Sequence, residues 1–248
     1  MKTLKREQIV YWLLVFICAT AAGITVLSPL PASMVNIPPS EISKPLLVIA
    51  SFGLIFIGYG LLGLLGLFLA KKNSWPGVYK EGAGIKNLFY RPLYLGVFSG
   101  LLIIIGSIFF ELFHDLGRFP HPPFPYSISA SFAAGIGEEL VMRLVLMSFW
   151  AWFLNIIFKK FNKKNITDWV AVIIATIIFG ISHLAGPVYT SGFSSFSQIP
   201  IIFIVEILVL NSFVGILAGR EMIKYGFVAA VGIHFWSDIV WHVIYGAF

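Results

Sequence analysis

Seven times this chain runs for about the length of a membrane-crossing helix with hardly a charge in it. A span needs about 20 apolar residues. The runs are Gln8 to Val26, Pro45 to Ala70, Pro92 to Phe113, Ser127 to Phe158, Trp169 to Gly186, Ile199 to Ala218 and Gly226 to Phe248. Lipid offers no partner to a backbone N–H or C=O, so each run must satisfy its own and be helical. The chain is 58% hydrophobic and 11% charged, against about 25% charged residues in soluble domains. The expected fold is an all-α, polytopic transmembrane helix bundle of about seven spans; an eighth cannot be placed. The first run follows Lys2, Lys5 and Arg6 as a signal peptide would. Its apolar core is too long, and Ser28-Pro29-Leu30 is a poor cleavage site, so it reads as a retained span.

The basic residues set the orientation. Three precede span one, five (Lys71, Lys72, Lys80, Lys86, Arg91) separate spans two and three, and four (Lys159, Lys160, Lys163, Lys164) separate four and five. Arg220 and Lys224 separate six and seven, while the opposite connections hold only Lys44 and Arg118. The alternation predicts a cytoplasmic N-terminus and an outer C-terminus, in a multi-pass protein of the plasma membrane. It also accounts for the net charge of +6 without nucleic acid as a partner. One cysteine, Cys18, excludes an intramolecular disulfide and any multi-cysteine metal site.

The connections say less. Leu27 to Lys44 reads as an ordinary outer loop and His114 to Tyr126, with four prolines, as a stiff turn. Val188 to Gln198 is Ser/Gly-rich and reads as mobile. Lys72 to Arg91 mixes aromatics with lysines, which suits an interfacial segment with snorkelling side chains or, alternatively, a docking surface.

Ionisable residues inside spans are expensive, and their default reading is functional. Spans one and two have none, apart from Cys and Tyr. Span three has Glu111, span four Glu138, Glu139 and Arg143, span five His183, span six Glu206, and span seven His234, Asp238 and His242. Adjacent residues on a helix point about 100° apart, so Glu138 and Glu139 serve different ends. Glu139 and Arg143 stand at i,i+4 with the acid first, the favourable order for an ion pair. That pairing leaves Glu138 beside an apolar wall, a setting for a general acid or base. Phe179 and His183 share a face. His234, Asp238 and His242 make a stripe that can serve as a metal face, as donors to a reacting carbonyl, or as a structural His234–Asp238 pair. His242 reads as simply wet, and Glu206 as a structural hydrogen-bonder without a local partner.

Three motifs in order, Glu138-Glu139-Leu140-Val141-Met142-Arg143, Phe179-Gly180-Ile181-Ser182-His183 and His234-Phe235-Trp236-Ser237-Asp238, resemble the CPBP family. That family comprises CAAX prenyl endopeptidases and the bacteriocin-processing or self-immunity (Abi) proteins. The stretch from Gly219-Arg220 to Gly232 also resembles the family's turn into its last motif. The likeness covers a core from about 127 to 245; residues 1–126 supply N-terminal helices without a signature.

The resemblance implies an intramembrane endopeptidase of glutamate type, acting on a membrane-associated or lipid-anchored peptide or protein through a cytoplasm-facing cavity. It implies that Glu138 and His183 activate a water, and that His234 and Asp238 form an oxyanion site, supported by Glu139, Arg143 and Phe179. Family members often carry Asn at the Asp238 position. An ionised Asp cannot donate to an oxyanion, so Asp238 either stays protonated or accepts from His234 and fixes its tautomer; the second is the expectation. No cofactor is implied, although the same carboxylates and imidazoles are zinc-ligand types and keep zinc as an alternative. A non-catalytic immunity or scaffold protein of the same fold, or a proton-coupled transporter, are the other classes of function.

One tension remains. At 1.5 Å per residue, His234 lies about 12 Å from the cytoplasmic end of span seven, and His183 about 21 Å from that of span five. The two meet only if spans tilt or their ends shift.

Overall fold

The structure, a computed structural model, describes residues 2–29, 42–161, 163–185, 193 and 195–248. Every regular element among them is helical. Seven helices are long and apolar enough to span a membrane: α1 Lys5–Thr25, α2 Lys44–Lys72, α3 Lys86–Phe110, α4 Tyr126–Ile157, α5 Lys164–Ser182, α6 Ile201–Tyr225 and α7 Phe227–Ala247. Leu54, Ile57, Leu61, Phe98 and Ile105 are among the exposed apolar side chains on their outer faces, the faces that lipid would cover.

Three helix ends lie five or more residues from the hydropathy limits, the start of α3 at Lys86, the start of α5 and the end of α6, and ion pairs to buried carboxylates explain the last two. Helix α5 starts five residues before Trp169 because Lys164 pairs with Asp168 one turn on, and Asp168 accepts from Trp75 Nε1 at 3.3 Å. Helix α6 runs past Ala218 because Glu221 is wholly buried. Arg91 Nε meets Glu221 Oε2 at 2.6 Å and Arg220 Nη1 meets Oε1 at 3.0 Å. Charges that read as loop are internal partners.

Helix α7 is the axis of the second half, packed against α3, α4 and α6, with 56% of its apolar window buried against 22% for α2 and α3. Gly96 and Gly100 make that approach possible. A Cβ at Gly96 would sit 2.5 Å from the Ile233 carbonyl oxygen, and one at Gly100 2.9 Å from that of Ser237. Small residues four apart let membrane helices touch backbone to backbone. Helix α1 closes the other flank, burying Tyr11, Val15, Cys18 and Ala19 against α4 and α2.

The turn between α6 and α7 resolves the mismatch of depth. Gly226 has φ 92°, ψ −175°, a conformation essentially confined to glycine. The segment from Asn73 to Lys80 folds over this turn: Phe227 and Val228 N–H donate to the carbonyls of Gly77 and Val78, and Lys80 N–H to that of Tyr225. Asn73, Trp75, Val78 and Phe227 are all buried. Helix α7 thus begins inside the bundle, under a chain segment, which carries His234 deeper than its count from Gly226 suggests. This part of the Lys72–Arg91 connection is a structural seat, with Trp75 and Val78 turned into the fold and Lys80 left exposed. Residues 30–41 and 186–192, within the two connections read as an outer loop and a mobile loop, lie outside the described residues.

Candidate active site

The motif helices are wound to present their polar residues. Helix α4 is α-helical to Glu139 and π-helical over Leu140–Met147; α7 is α-helical to Asp238 and π-helical over Ile239–Ile244. Single π stretches inside α-helices recur at functional sites, because the extra residue per turn re-aims side chains. Both begin immediately after a motif carboxylate.

Glu138 and Glu139 point different ways. The Glu138 side chain keeps 39% of its exposure and that of Glu139 none. Glu139 Oε2 lies 3.4 Å from Arg143 Nε, and both side chains are fully buried. The guanidinium lies over the Phe179 ring at 4.5 Å, a cation–π contact of the kind that strengthens on desolvation. The other oxygen, Oε1, lies 2.9 Å from His234 Nδ1. Glu139 is therefore more than half of an ion pair: it also holds the His234 ring.

That arrangement displaces the expected role of Asp238. Its Oδ1 is 3.6 Å from His234 Nε2, too far for a hydrogen bond, and it stands on the opposite edge of the ring from Glu139. The partner that orients His234 is Glu139, from a different helix.

His183 follows the last residue of α5. Its Nδ1 is 2.8 Å from the Phe179 carbonyl, which can only accept, so Nδ1 carries the proton and donates. Its ring meets that of Phe179 edge-on at 4.6 Å, and Phe179 meets His234 at 5.4 Å. Nε2 of neutral His183 is then a bare lone pair. It faces Glu138 Oε2 at 3.7 Å, and His234 Nε2 lies 3.9 Å from the same oxygen. Residues from α4, α5 and α7 are thus brought to one point.

A cavity of about 270 Å³ opens beside them, with His183, His234 and Asp238 in its wall. Its apolar lining comes from Ile103, Ile207, Leu210, Val214 and Trp241, and Asn211 adds an amide. Neither Asn211 nor Trp241 stands out in the sequence. An Asn between Leu and Ser in an apolar span is the one signal available, and it is weak.

The remaining span residues fall elsewhere. Glu206 has a distant partner, His114 of the α3–α4 connection: Leu116 N–H donates to His114 Nδ1, leaving Nε2–H to donate to Glu206 Oε2 at 2.7 Å. His242 is not simply wet. It lines the cavity, and its Nδ1 lies 3.1 Å from Nδ1 of His121. Burial and the nearby Arg118 guanidinium hold the His121 imidazole below its usual range. Glu111 pairs with Arg118 at 3.6 Å, outside the site. Among the described residues, no group of three or more His, Cys, Asp or Glu has the geometry to hold a metal ion.

Residues 120–240, just under half of the chain, match the family profile of type II CAAX prenyl endopeptidase, Rce1-like. No curated protein and no solved structure matches the chain.

Proposed function

We propose, from a chain whose residues 120–240 match the profile of Rce1-like type II CAAX prenyl endopeptidases, an intramembrane endopeptidase that hydrolyses a peptide bond with a water activated by Glu138 and His183. The observation that carries this reading is the gap of 3.7 Å between Glu138 Oε2 and His183 Nε2. Two acceptors cannot bond to each other. Glu138 Oε2 is a buried acceptor without a hydrogen-bond partner among the described residues; a water admitted between it and His183 Nε2 donates one proton to each, and its oxygen is left to attack a carbonyl. Glu138 takes the proton as the bond forms and returns it to the departing amine. No metal takes part in these steps.

His234 stabilises the tetrahedral oxyanion. With Nδ1 donating to Glu139, an imidazolium is the form that still offers an Nε2–H, and Glu139 balances its charge. Asp238 contributes as a carboxylic acid, the donating form of the group. The substrate is a membrane-associated or lipid-anchored peptide whose apolar part lies along Ile207, Leu210 and Val214.

The full chain reconstituted in liposomes with farnesylated, acylated and unmodified membrane peptides tests this. Wild type is expected to cleave at least one, with activity retained in strong chelator. Glu138→Ala and His183→Ala are expected to lose cleavage while keeping the wild-type melting profile. Full activity in either variant rules out the mechanism, and loss of activity in chelator restores the metal alternative. Asp238→Asn, which keeps a donor, is expected to remain active, whereas Asp238→Leu loses about 10²–10³ in rate, the usual cost of an oxyanion donor.

A further inference from the structure

Five helices meet at the site, and on α3, α4, α5 and α6 the residues Ile103, Glu138, His183 and Asn211 lie nearer the ends opposite the lysine-rich connections. Along α5, His183 is about 28 Å from Lys164 at 1.5 Å per residue. On the same count, Ile103 is about 25 Å from Lys86 along α3, and Glu138 about 28 Å from Ile157 along α4. Asn211 is about 21 Å from Tyr225 along α6, and His242 about 22 Å from Phe227 along α7. His234 counts as the nearest of them to a lysine-side end, and there the helix starts inside the bundle beneath the Asn73–Lys80 segment.

The two halves of the bundle are also packed differently. Between the site and the lysine-rich ends, Leu144, Met147, Val172, Ala218, Met222 and Phe227 are each 0 or 1% exposed. Interiors of this kind contain few voids larger than a water molecule, and none of these residues lines the cavity. At the opposite end the cavity is roofed by the α3–α4 connection. Phe119 and Pro120 line it, Phe119 stacks on Phe203 at 4.9 Å, and His114 is tied to Glu206. Beneath this roof the side chain of His183, in the cavity wall, keeps 36% of its exposure.

The positive-inside distribution makes the lysine-rich, solidly packed end cytoplasmic. We infer that the cavity opens on the extracytoplasmic side, and that it takes apolar peptide segments presented from the outer leaflet or the exterior. The substrate half of this inference rests on the peptidase reading above; the access half does not. A lipid-anchored segment on the cytoplasmic face, as the family resemblance implies, cannot reach the cavity without crossing the packed half.

Cysteine accessibility tests it on the full chain in its membrane. Cys18→Ala removes the only thiol. Single cysteines are then placed in the cavity wall (Asn211→Cys, and separately His242→Cys), in the roof connection (Asp115→Cys) and at the lysine-rich end (Lys224→Cys). A small membrane-impermeant methanethiosulfonate is applied to intact cells and to inverted vesicles. Both cavity thiols and Asp115→Cys are expected to react in intact cells and to lose that reaction in inverted vesicles, with Lys224→Cys behaving the opposite way. Cavity thiols that follow Lys224→Cys overturn the inference, as do thiols that react from neither side, or Asp115→Cys reacting only in inverted vesicles. Because labelling needs no substrate, it decides access even if every peptide resists cleavage, while failure of the liposome assay bears on the peptidase reading alone.

Discussion

A carboxylate with no exposed surface must be balanced on each oxygen, and Glu139 is balanced by two different groups, Arg143 and His234. Arg143 has no hydrogen-bonded partner for its three nitrogens among the described residues, so the Glu139 charge and the Phe179 ring are what hold it in place. Breaking a buried pair strands the surviving charge and costs about 3–5 kcal/mol. Arg143→Met is therefore expected to lower stability by about that amount in denaturation of the purified protein; Arg143→Met with Glu139→Gln should recover part of it. The residue scale also carries a pH dependence outside the spans. His121, which faces His242, Arg118 and the Tyr245 ring, is held below the usual imidazole range in the folded protein. The unfolded chain binds a proton there below about pH 6.5, so stability is fully present above that value and falls as pH drops through the window beneath it. Hydrogen exchange of residues 111–125 should accelerate on acidification, and His121→Gln should flatten the response. The motif residues were legible because charge in an apolar run has few explanations. The role of Glu139 was not, because its second partner lies 95 residues away and nothing in either segment announces the contact.

At the scale of elements, the feature that most directly sets the site is the α6–α7 turn. Gly226 sits in a backbone region that costs a non-glycine residue about 1–3 kcal/mol, and its Cβ would come within 2.9 Å of Tyr79 Cα. Gly226→Ala should destabilise by at least that amount, and it should reduce cleavage more than its thermal shift explains, because the turn fixes the depth of His234. An unchanged rate in the folded variant would separate the turn from the site. Gly100→Ile, which forces α3 off the Ser237 carbonyl, provides an independent check of how closely α7 must be held. Spans could be located from hydropathy because twenty apolar residues have one solution in lipid. Their ends could not, because Asp168 and Glu221 look like loop charges until Lys164, Arg91 and Arg220 are seen beside them. The Asn73–Lys80 segment was legible only in part for a related reason: aromatics among lysines suit an interface, and only the fold shows the backbone pairing that seats the segment on the α6–α7 turn.

At the scale of the whole molecule, α1 and α2 wall the Glu138 side of α4, while α3 closes the cavity between α6 and α7. The division of labour into a signature core and plain N-terminal helices was visible in where span charges fall. Which half of the bundle is solid and which is hollow was not, since that depends on how Leu144, Met147 and Met222 interlock across helices far apart in sequence. In the proposed mechanism the separation of Glu138 from Glu139 and the anchoring of His234 serve one end, the activation of water by Glu138 for peptide hydrolysis. Comparative membrane peptidomics of cells carrying the wild-type chain or Glu138→Gln tests this directly, since it reads every membrane peptide at once and needs no chosen substrate. The mechanism predicts fragments present only with wild type and an intact precursor that accumulates with the variant, whose abundance and fold are unchanged; identical peptide inventories in the two strains would contradict it.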